Sequence, residues 1–341
     1  MKNFISNYDT QNQFKVLKEY YKQIEDAWST KVNLGKINRE KISAILICGL
    51  GGSAISGDLL EYFLSDEIKV PIIVNRNYDL PSFVNKSWLI VISSYSGNTE
   101  ETISCFKQAL TLKNEILTIS SGGEVEEIAN KNSIPHIKIK SGFQPRYALG
   151  LSFFTVLRIF QELNLIKKQD ENVSAISNLW KRKGEEYSKP KNSALEIAKK
   201  LIGFIPVIYS SEFLSSAGYR FKCQLNENSK VHAFQHTIPE MNHNEIIGWE
   251  TQKEKQFNSK IIYLFDNDYH PQIKKRYFVF SELAASKGVE IISLTSSEKN
   301  YRVRIMDLIY LCDWISFYLA VLRGFDPSEI DFIHEMKKRL A

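Results

Sequence analysis

The stretch Leu89-Ile90-Val91-Ile92-Ser93-Ser94-Tyr95-Ser96-Gly97-Asn98-Thr99-Glu100-Glu101 decides the fold. Four consecutive apolar residues, three of them β-branched, read as a strand buried on both faces, which is what a parallel sheet requires. The run stops at serines and a glycine, and a helical pattern then continues from Glu100 to Leu112. Strand, glycine turn and helix in that order place backbone N–H groups at a helix N-terminus, where an anion is stabilised. Ser94, Ser96 and Thr99 put three hydroxyls around Gly97 without any lysine, so the loop suits a phosphate monoester held by neutral donors. It lacks the GK[ST] ending of a nucleotide-binding P-loop. The competing reading is a Ser/Thr N-cap with two glutamates complementing the helix dipole.

Working outward, Ala44-Ile45-Leu46-Ile47-Cys48 is a second apolar run that ends in glycines, and Ile72–Val74 and Ile116–Ile119 add two more. Helix-like segments at Asp58–Phe63, Glu100–Leu112 and Glu124–Lys131 alternate with them. The alternation predicts an α/β doubly wound parallel sheet with helices on both faces. The turn Gly49-Leu50-Gly51-Gly52-Ser53 also opens a helix, which makes Gly51 and Ser53 candidate anion ligands. It departs from a dinucleotide fingerprint, because Ile72-Ile73-Val74-Asn75-Arg76 ends without the acidic residue that would meet a ribose. A tight turn without a ligand is the alternative.

After Gly150 the rhythm changes. Leu151–Leu165 has helical periodicity, and the charged stretch Lys167–Lys200 is broken only at Pro190, which predicts a helical connector. Strands then return at Pro206–Tyr209, Ile261–Leu264 and Ile291–Leu294. Matching Ile208 with Ile47, Leu264 with Ile92 and Leu294 with Ile119 gives offsets of 161, 172 and 175 residues, the mark of a degenerate internal duplication. Turns in the second half carry Ser210-Ser211-Glu212 and Asp266-Asn267-Asp268, so anion chemistry is expected in the first half.

A length of 341 residues and a composition 43% hydrophobic and 24% charged fit about two globular domains. A net charge of +5, evenly spread, argues against a nucleic-acid or membrane surface. Cys48, Cys105, Cys223 and Cys312 form neither a CxxC pair nor a Cys/His cluster, so no metal site and no disulfide framework is expected, and a cytoplasmic setting is. Residues Met1–Trp28 lack an apolar core and read as a surface helix, not a secretion signal. Leu308–Leu322, interrupted by Asp313 and Ser316, falls short of a membrane span and reads as a buried or interface helix.

The loop SSYSGNTEET at 93–102 resembles the phosphate loop of sugar isomerase (SIS) domains. With GLGGSAISGD at 49–58, PRYALG at 145–150, NENSK at 226–230 and MNHNEIIGWE at 241–250, nearly the whole chain is similar to the bifunctional phosphoglucose/phosphomannose isomerases. The resemblance implies two SIS-type subdomains in tandem, residues 1–150 with the phosphate loop and 195–341 with the catalytic Glu and His, joined by a helical connector at 151–194. It implies a cofactor-independent aldose–ketose isomerase of hexose 6-phosphates working through a cis-enediol. Glu227 then matches the family's catalytic base, which by itself reads as an exposed loop glutamate. His243 matches a ring-opening histidine that reaches the site from the partner subunit of a homodimer. Arg146 matches a cation beside the enediolate, the alternative being a surface ion pair. Lys337, or its neighbour Lys338, matches a lysine that assists ring opening, the alternative being a solvated basic helix end. His232 and His236 stand four apart with no third ligand evident. Two competing functions are an SIS isomerase of another sugar phosphate and a phosphosugar sensor without catalysis, though a sensor needs no base.

Overall fold

The computed structural model describes residues 2–35, 37–254 and 258–340. Three short helices come first, α1 (Lys2–Tyr8), α2 (Gln13–Lys18) and α3 (Tyr21–Ser29). The first α/β set follows: β1 (Ala44–Cys48), α4 (Gly51–Phe63), β2 (Ile72–Asn75), β3 (Trp88–Ser93), α5 (Glu100–Leu112), β4 (Glu115–Ser120), α6 (Gly123–Lys131) and β5 (His136–Lys138). Helices α7 (Leu149–Glu162), α8 (Asp170–Tyr187) and α9 (Ser193–Lys200) lead to the second set. That set is β6 (Ile205–Ser210), α10 (Ser215–Glu227), β7 (Phe234–Thr237), β8 (Ser259–Leu264), α11 (Pro271–Ser286), β9 (Ile291–Leu294), α12 (Tyr301–Leu322) and α13 (Asp331–Leu340).

Two compact units result, Glu19–Asn178 and the discontinuous Met1–Lys18 with Leu179–Ala341. In the first, the parallel sheet runs β2-β1-β3-β4-β5. Every residue of β1 and β3 is buried, as their unbroken apolar sequences require. Helix α7 packs on α3 and α4, and Ser56 Oγ of α4 meets Ser152 Oγ of α7 at 2.9 Å. This packing places α7 in the first unit, where the sequence boundary puts it in the connector. Cys48 and Cys105, far apart in sequence, meet in this core. Their hydrogen bond and burial push the Cys48 thiol up.

The second sheet runs β7-β6-β8-β9, all parallel, which repeats the order β2-β1-β3-β4 of the first. The matched strands are those aligned by the offsets in sequence. The same offset of 161 sets Glu212, at φ +43°, on Gly51, at φ +51°, so even a left-handed turn residue is shared. Helix α12 is the core of this unit. Trp180 stacks on Tyr310 at 5.2 Å and Phe14 meets the Trp314 ring edge at 5.4 Å. It is long and apolar enough to cross a membrane by length and composition, but 94% of its most apolar window lies inside the protein. At 22 residues it is longer than the sequence reading gave, and it is a core helix.

Residues 2–28 correct the expectation of one surface helix. They form three helices, and Leu17, Tyr20, Ile24 and Ala27 are buried. Helices α1 and α2 pack against α12, and the Tyr310 hydroxyl donates to Leu17 O at 2.6 Å. The apolar face was present in the sequence, but its partner lies almost 300 residues away.

Candidate active site

In the first sheet the strand order reverses direction between β1 and β3, and ligands of such sheets bind outside the carboxyl ends of the strands at that point. The loops after β1 and β3 flank it. In the second loop Ser94 Oγ lies 2.8 Å from Thr99 Oγ1 and accepts the Gly97 N–H at 3.1 Å. Ser96 Oγ accepts the Asn98 N–H at 3.2 Å. Thr99 stands at the N-cap of α5, yet its side chain caps no helix amide, so the hydroxyls organise the loop and the simple N-cap reading fails. Leu50 likewise offers no side-chain cap to α4. Two helix N-termini are thus turned toward the switch point without caps of their own, the arrangement that suits an anion.

Close packing holds the loops together. Ser53 Oγ accepts the Tyr95 N–H at 3.2 Å and ties one loop to the other. Gly97 has φ +74°, and a Cβ there would stand 1.7 Å from Gly122 O. A Cβ on Gly52 would stand 2.8 Å from Pro145 O, so the 3-10 turn Pro145–Tyr147 rests directly on the start of α4. That turn carries Arg146, only 4% exposed, with its guanidinium carbon 5.6 Å from the Tyr147 ring centre. Gln23 Nε2 donates to Tyr147 O at 2.7 Å, and the Leu149 N–H donates to Tyr20 Oη at 3.3 Å. Burial of Arg146 overturns the surface ion pair as its description. Gly51, Ser53, Ser94, Ser96, Thr99 and Arg146 therefore share one end of one sheet, with Ser96 and Gly51 exposed, Thr99 half-buried and the other three buried.

Removing Ser96 and Thr99 hydroxyls together, as Ser96→Ala with Thr99→Ala, is expected to raise KM for a sugar phosphate tenfold or more. Two donors to a charged acceptor are worth roughly 1–3 kcal/mol each. An unchanged KM in steady-state assays of the double variant removes the loop from the site.

The matching place in the second sheet is filled by the protein's own charges. Arg304 Nε donates to Asp266 Oδ2 at 2.6 Å and its Nη2 to Asp266 Oδ1 at 3.1 Å, with Asp268 on the same guanidinium. Asp266 and Arg304 are both buried. An internal bidentate pair occupies the switch point that the first sheet leaves to hydroxyls and amides.

Glu227 is the last residue of α10 and half-buried, not an exposed loop residue. The helix is held by a buried polar ladder. Arg220 Nη2 donates to Asp313 Oδ2 at 2.8 Å, Gln224 Nε2 to Asp313 Oδ1 at 3.1 Å, and Asn228 Nδ2 to Ser316 Oγ at 3.0 Å. Spacing of four keeps Arg220, Gln224 and Asn228 on one face. Burial pushes the Asp313 carboxyl up, against the pull of Arg220 and Gln224. Lys230 Nζ donates to the carbonyls of Glu227 at 3.0 Å and Asn228 at 3.3 Å, so the backbone around Glu227 is fixed on both sides.

His243 ends the 3-10 turn Glu240–His243 and is exposed. Because β6 and β7 are parallel, α10 must return the chain to the amino end of the sheet, leaving Glu227 at that end. His243 comes after the carboxyl end of β7. The four residues of β7 alone separate the two ends by about 10 Å at a rise of about 3.3 Å per residue. Within one chain, then, the second unit holds Glu227 and His243 at opposite ends of its sheet. Lys337 and Lys338 lie on α13, all of whose described residues are exposed, with Arg339 Nε donating to Glu335 Oε1 at 2.8 Å.

One cluster escaped the sequence reading. Glu245 Oε1 accepts from the Tyr209 hydroxyl at 2.5 Å, Glu245 Oε2 lies 3.0 Å from His236 Nδ1, and Trp249 Nε1 donates to Tyr209 Oη at 2.8 Å. His236 is thereby bound to a carboxylate, and among the described residues no group of three or more His, Cys, Asp or Glu is placed to hold a metal ion.

With this geometry in view, comparison with known proteins is informative. Residues 190–340 match the family described as the bacterial phospho-glucose isomerase C-terminal SIS domain. A bifunctional phosphoglucose/phosphomannose isomerase of Caldicellulosiruptor bescii is 38% identical over 325 residues, 94% of this chain and 96% of the relative. The chain belongs to the bifunctional phosphoglucose/phosphomannose isomerase family. A D-glucosamine-6-phosphate 4-epimerase of Sulfolobus acidocaldarius is 33% identical over 72% of this chain and 74% of its own length. Among solved structures, the C-terminal domain of glucosamine-fructose-6-phosphate aminotransferase from Francisella tularensis aligns with a TM-score of 0.73 at 16% identity, covering 96% of this chain and 99% of that one. That likeness concerns the fold: two SIS-type subdomains in tandem.

Proposed function

We propose that the protein interconverts glucose 6-phosphate, and mannose 6-phosphate, with fructose 6-phosphate. The observation that carries this is the lysine-free cradle of Ser94, Ser96 and Thr99 at two uncapped helix N-termini, backed by the buried Arg146. A sugar 6-phosphate is anchored there through its phosphate. Isomerisation moves one proton between C1 and C2 and leaves the redox state of the molecule unchanged, so its stoichiometry calls for a base and a cation and for no redox partner. Glu227 is the base, taking the C2 proton and returning it at C1 of a cis-enediol. Arg146 is the cation facing the enediolate, since a guanidinium keeps its charge throughout. His243 and Lys337 open the ring. The two epimers share one enediol, so a pocket that lets the C1–C2 unit rotate serves both.

The opposite placement of Glu227 and His243 on the second sheet supports a site composed from two chains, with His243 supplied by the partner of a homodimer. The setting that fits such a metabolic reaction is the cytoplasm, with the phosphate cradle in the unit Glu19–Asn178 and the base in the unit that contains α10.

The deciding assay offers glucose 6-phosphate and mannose 6-phosphate separately to the purified protein in EDTA and measures fructose 6-phosphate. Formation from both is expected. No product from either, with glucosamine 6-phosphate consumed instead, transfers the reading to another sugar phosphate. The composite site has its own test. Mixing the strongly impaired Glu227→Gln and His243→Ala proteins is expected to restore about one quarter of wild-type activity, because random exchange makes half the dimers mixed, each with one intact site of two. If exchange is demonstrated and activity stays at the level of the separate variants, both residues serve one chain's site.

A further inference from the structure

We propose that Glu245 is a positioning residue for His243, acting through a clamp formed with Tyr209, Trp249 and His236; the inference rests on the ring-opening role given to His243 above. His243 is exposed, yet the turn that carries it is anchored on both sides. Met241, two residues earlier, is fully buried. Glu245, two residues later, is bound by strands β6 and β7 at once, through Tyr209 and His236. Asn244 closes the interval, with its Nδ2 donating to Glu240 Oε1 at 2.9 Å and its Oδ1 accepting the Glu245 N–H at 2.6 Å. An exposed imidazole on a turn held this firmly is placed to be delivered to something outside its own fold.

The clamp has a fixed polarity. Burial, followed by the bond to Glu245, pushes the Tyr209 phenol far up, so it remains a donor to the carboxylate. Trp249 can only donate, and it occupies the Tyr209 oxygen from the other side. A carboxylate oxygen offers only acceptors, so the His236 bond requires the proton on Nδ1. Both Glu245 oxygens are engaged by groups from the sheet, and the carboxylate works as a peg joining the turn to the carboxyl ends of two strands. Loss of the peg leaves the phosphate cradle untouched, since the cradle belongs to the other unit.

The test is a double-mutant cycle on hexose 6-phosphate isomerisation. Glu245→Ala is expected to lower kcat by about 10–100-fold, the cost of misplacing a catalytic group by an ångström or so, with KM changed less than about threefold. Tyr209→Phe, which keeps the ring and removes the donor, should lose about 3–10-fold in kcat. In a His243→Ala background Glu245→Ala should cost nothing more, because a positioning residue has nothing left to position. Glu245→Gln, which keeps an acceptor for Tyr209 and loses the charge facing His236, should fall between wild type and Glu245→Ala. Retained thermal unfolding and an unchanged affinity for inorganic phosphate show that the variants fold. A Glu245→Ala kcat within twofold of wild type overturns the inference, as does an equal fold-loss on top of His243→Ala. A fully active His243→Ala brings down the assignment of His243 itself, whereas a crippled His243→Ala beside a fully active Glu245→Ala removes only the positioning role.

Discussion

Glu227→Gln is expected to bind hexose 6-phosphate as wild type does and to turn it over about 10²–10⁴-fold more slowly, the range for a lost general base. The amide keeps the size of the side chain and cannot accept the C2 proton. The fold around it should be unchanged, because α10 is held by Arg220, Gln224 and Asn228 against Asp313 and Ser316, none of which involves the Glu227 carboxylate. Binding should persist because the cradle sits in the first unit. Exchange of the C2 hydrogen of glucose 6-phosphate with D2O, followed by NMR beside ligand affinity, separates the two properties. Exchange at the wild-type rate in the variant would show that another group is the base.

Gly97→Ala should be the most damaging single-methyl change in the first unit. The added carbon would stand 1.7 Å from Gly122 O, 2.7 Å from Gly122 C and 3.1 Å from Gly123 Cα, all backbone atoms that no rotamer change can move aside. A left-handed alanine adds its own penalty of about 1–2 kcal/mol, and overpacking against backbone about 1–3 kcal/mol more. At roughly 2–4 °C per kcal/mol for a unit of this size, a loss on the order of 10 °C in Tm is expected, with phosphate affinity lost alongside. Gly51→Ala is the control: its φ is +51°, but nothing lies within 4 Å of the new carbon. It should pay the conformational penalty alone. Equal effects of the two substitutions would mean that the contact with Gly122 yields freely.

Strands were legible in the sequence where they are buried on both faces. β1, β3, β4, β6 and β8 appear as apolar runs because a strand covered by helices on both sides needs no polar alternation, and the half-buried edge strands β2 and β9 keep enough of that signal to be read. β5 and β7 carry no such signal. His136–Lys138 is three residues long, and Phe234–Thr237 lies at a sheet edge with Phe234 exposed. The cradle was legible because hydroxyls, glycine and helix start are consecutive in the chain. Arg146 was visible as a residue but not as a buried one, since the packing of its turn on the start of α4 is not written in the residues around it. Asp313 stood out as an acid inside an apolar run, a position that demands a partner. Arg220, 93 residues away, could not be read from it. His236 stood out beside His232, but its link to Glu245 and Tyr209 stayed hidden, because only parallel pairing of β6 with β7 brings the three to one point.

The interrupted path of the chain through its two units has a consequence for synthesis on the ribosome. Residues Glu19–Asn178 form one contiguous stretch, so all five strands of the first sheet can pair as soon as that stretch has emerged. Helices α1 and α2, of seven and six residues, are made before the first unit, but at that length they are not stable in water by themselves. Their partner is α12, and the Tyr310–Leu17 bond spans 293 residues. Closing so long a loop costs little more at equilibrium than closing a shorter one, about 0.6 kcal/mol per doubling. The toll is in time. The leading segment waits unstructured while the first unit folds behind it, and the second unit is completed only after α12 has emerged, by the meeting of segments that lie on either side of the first unit in the chain.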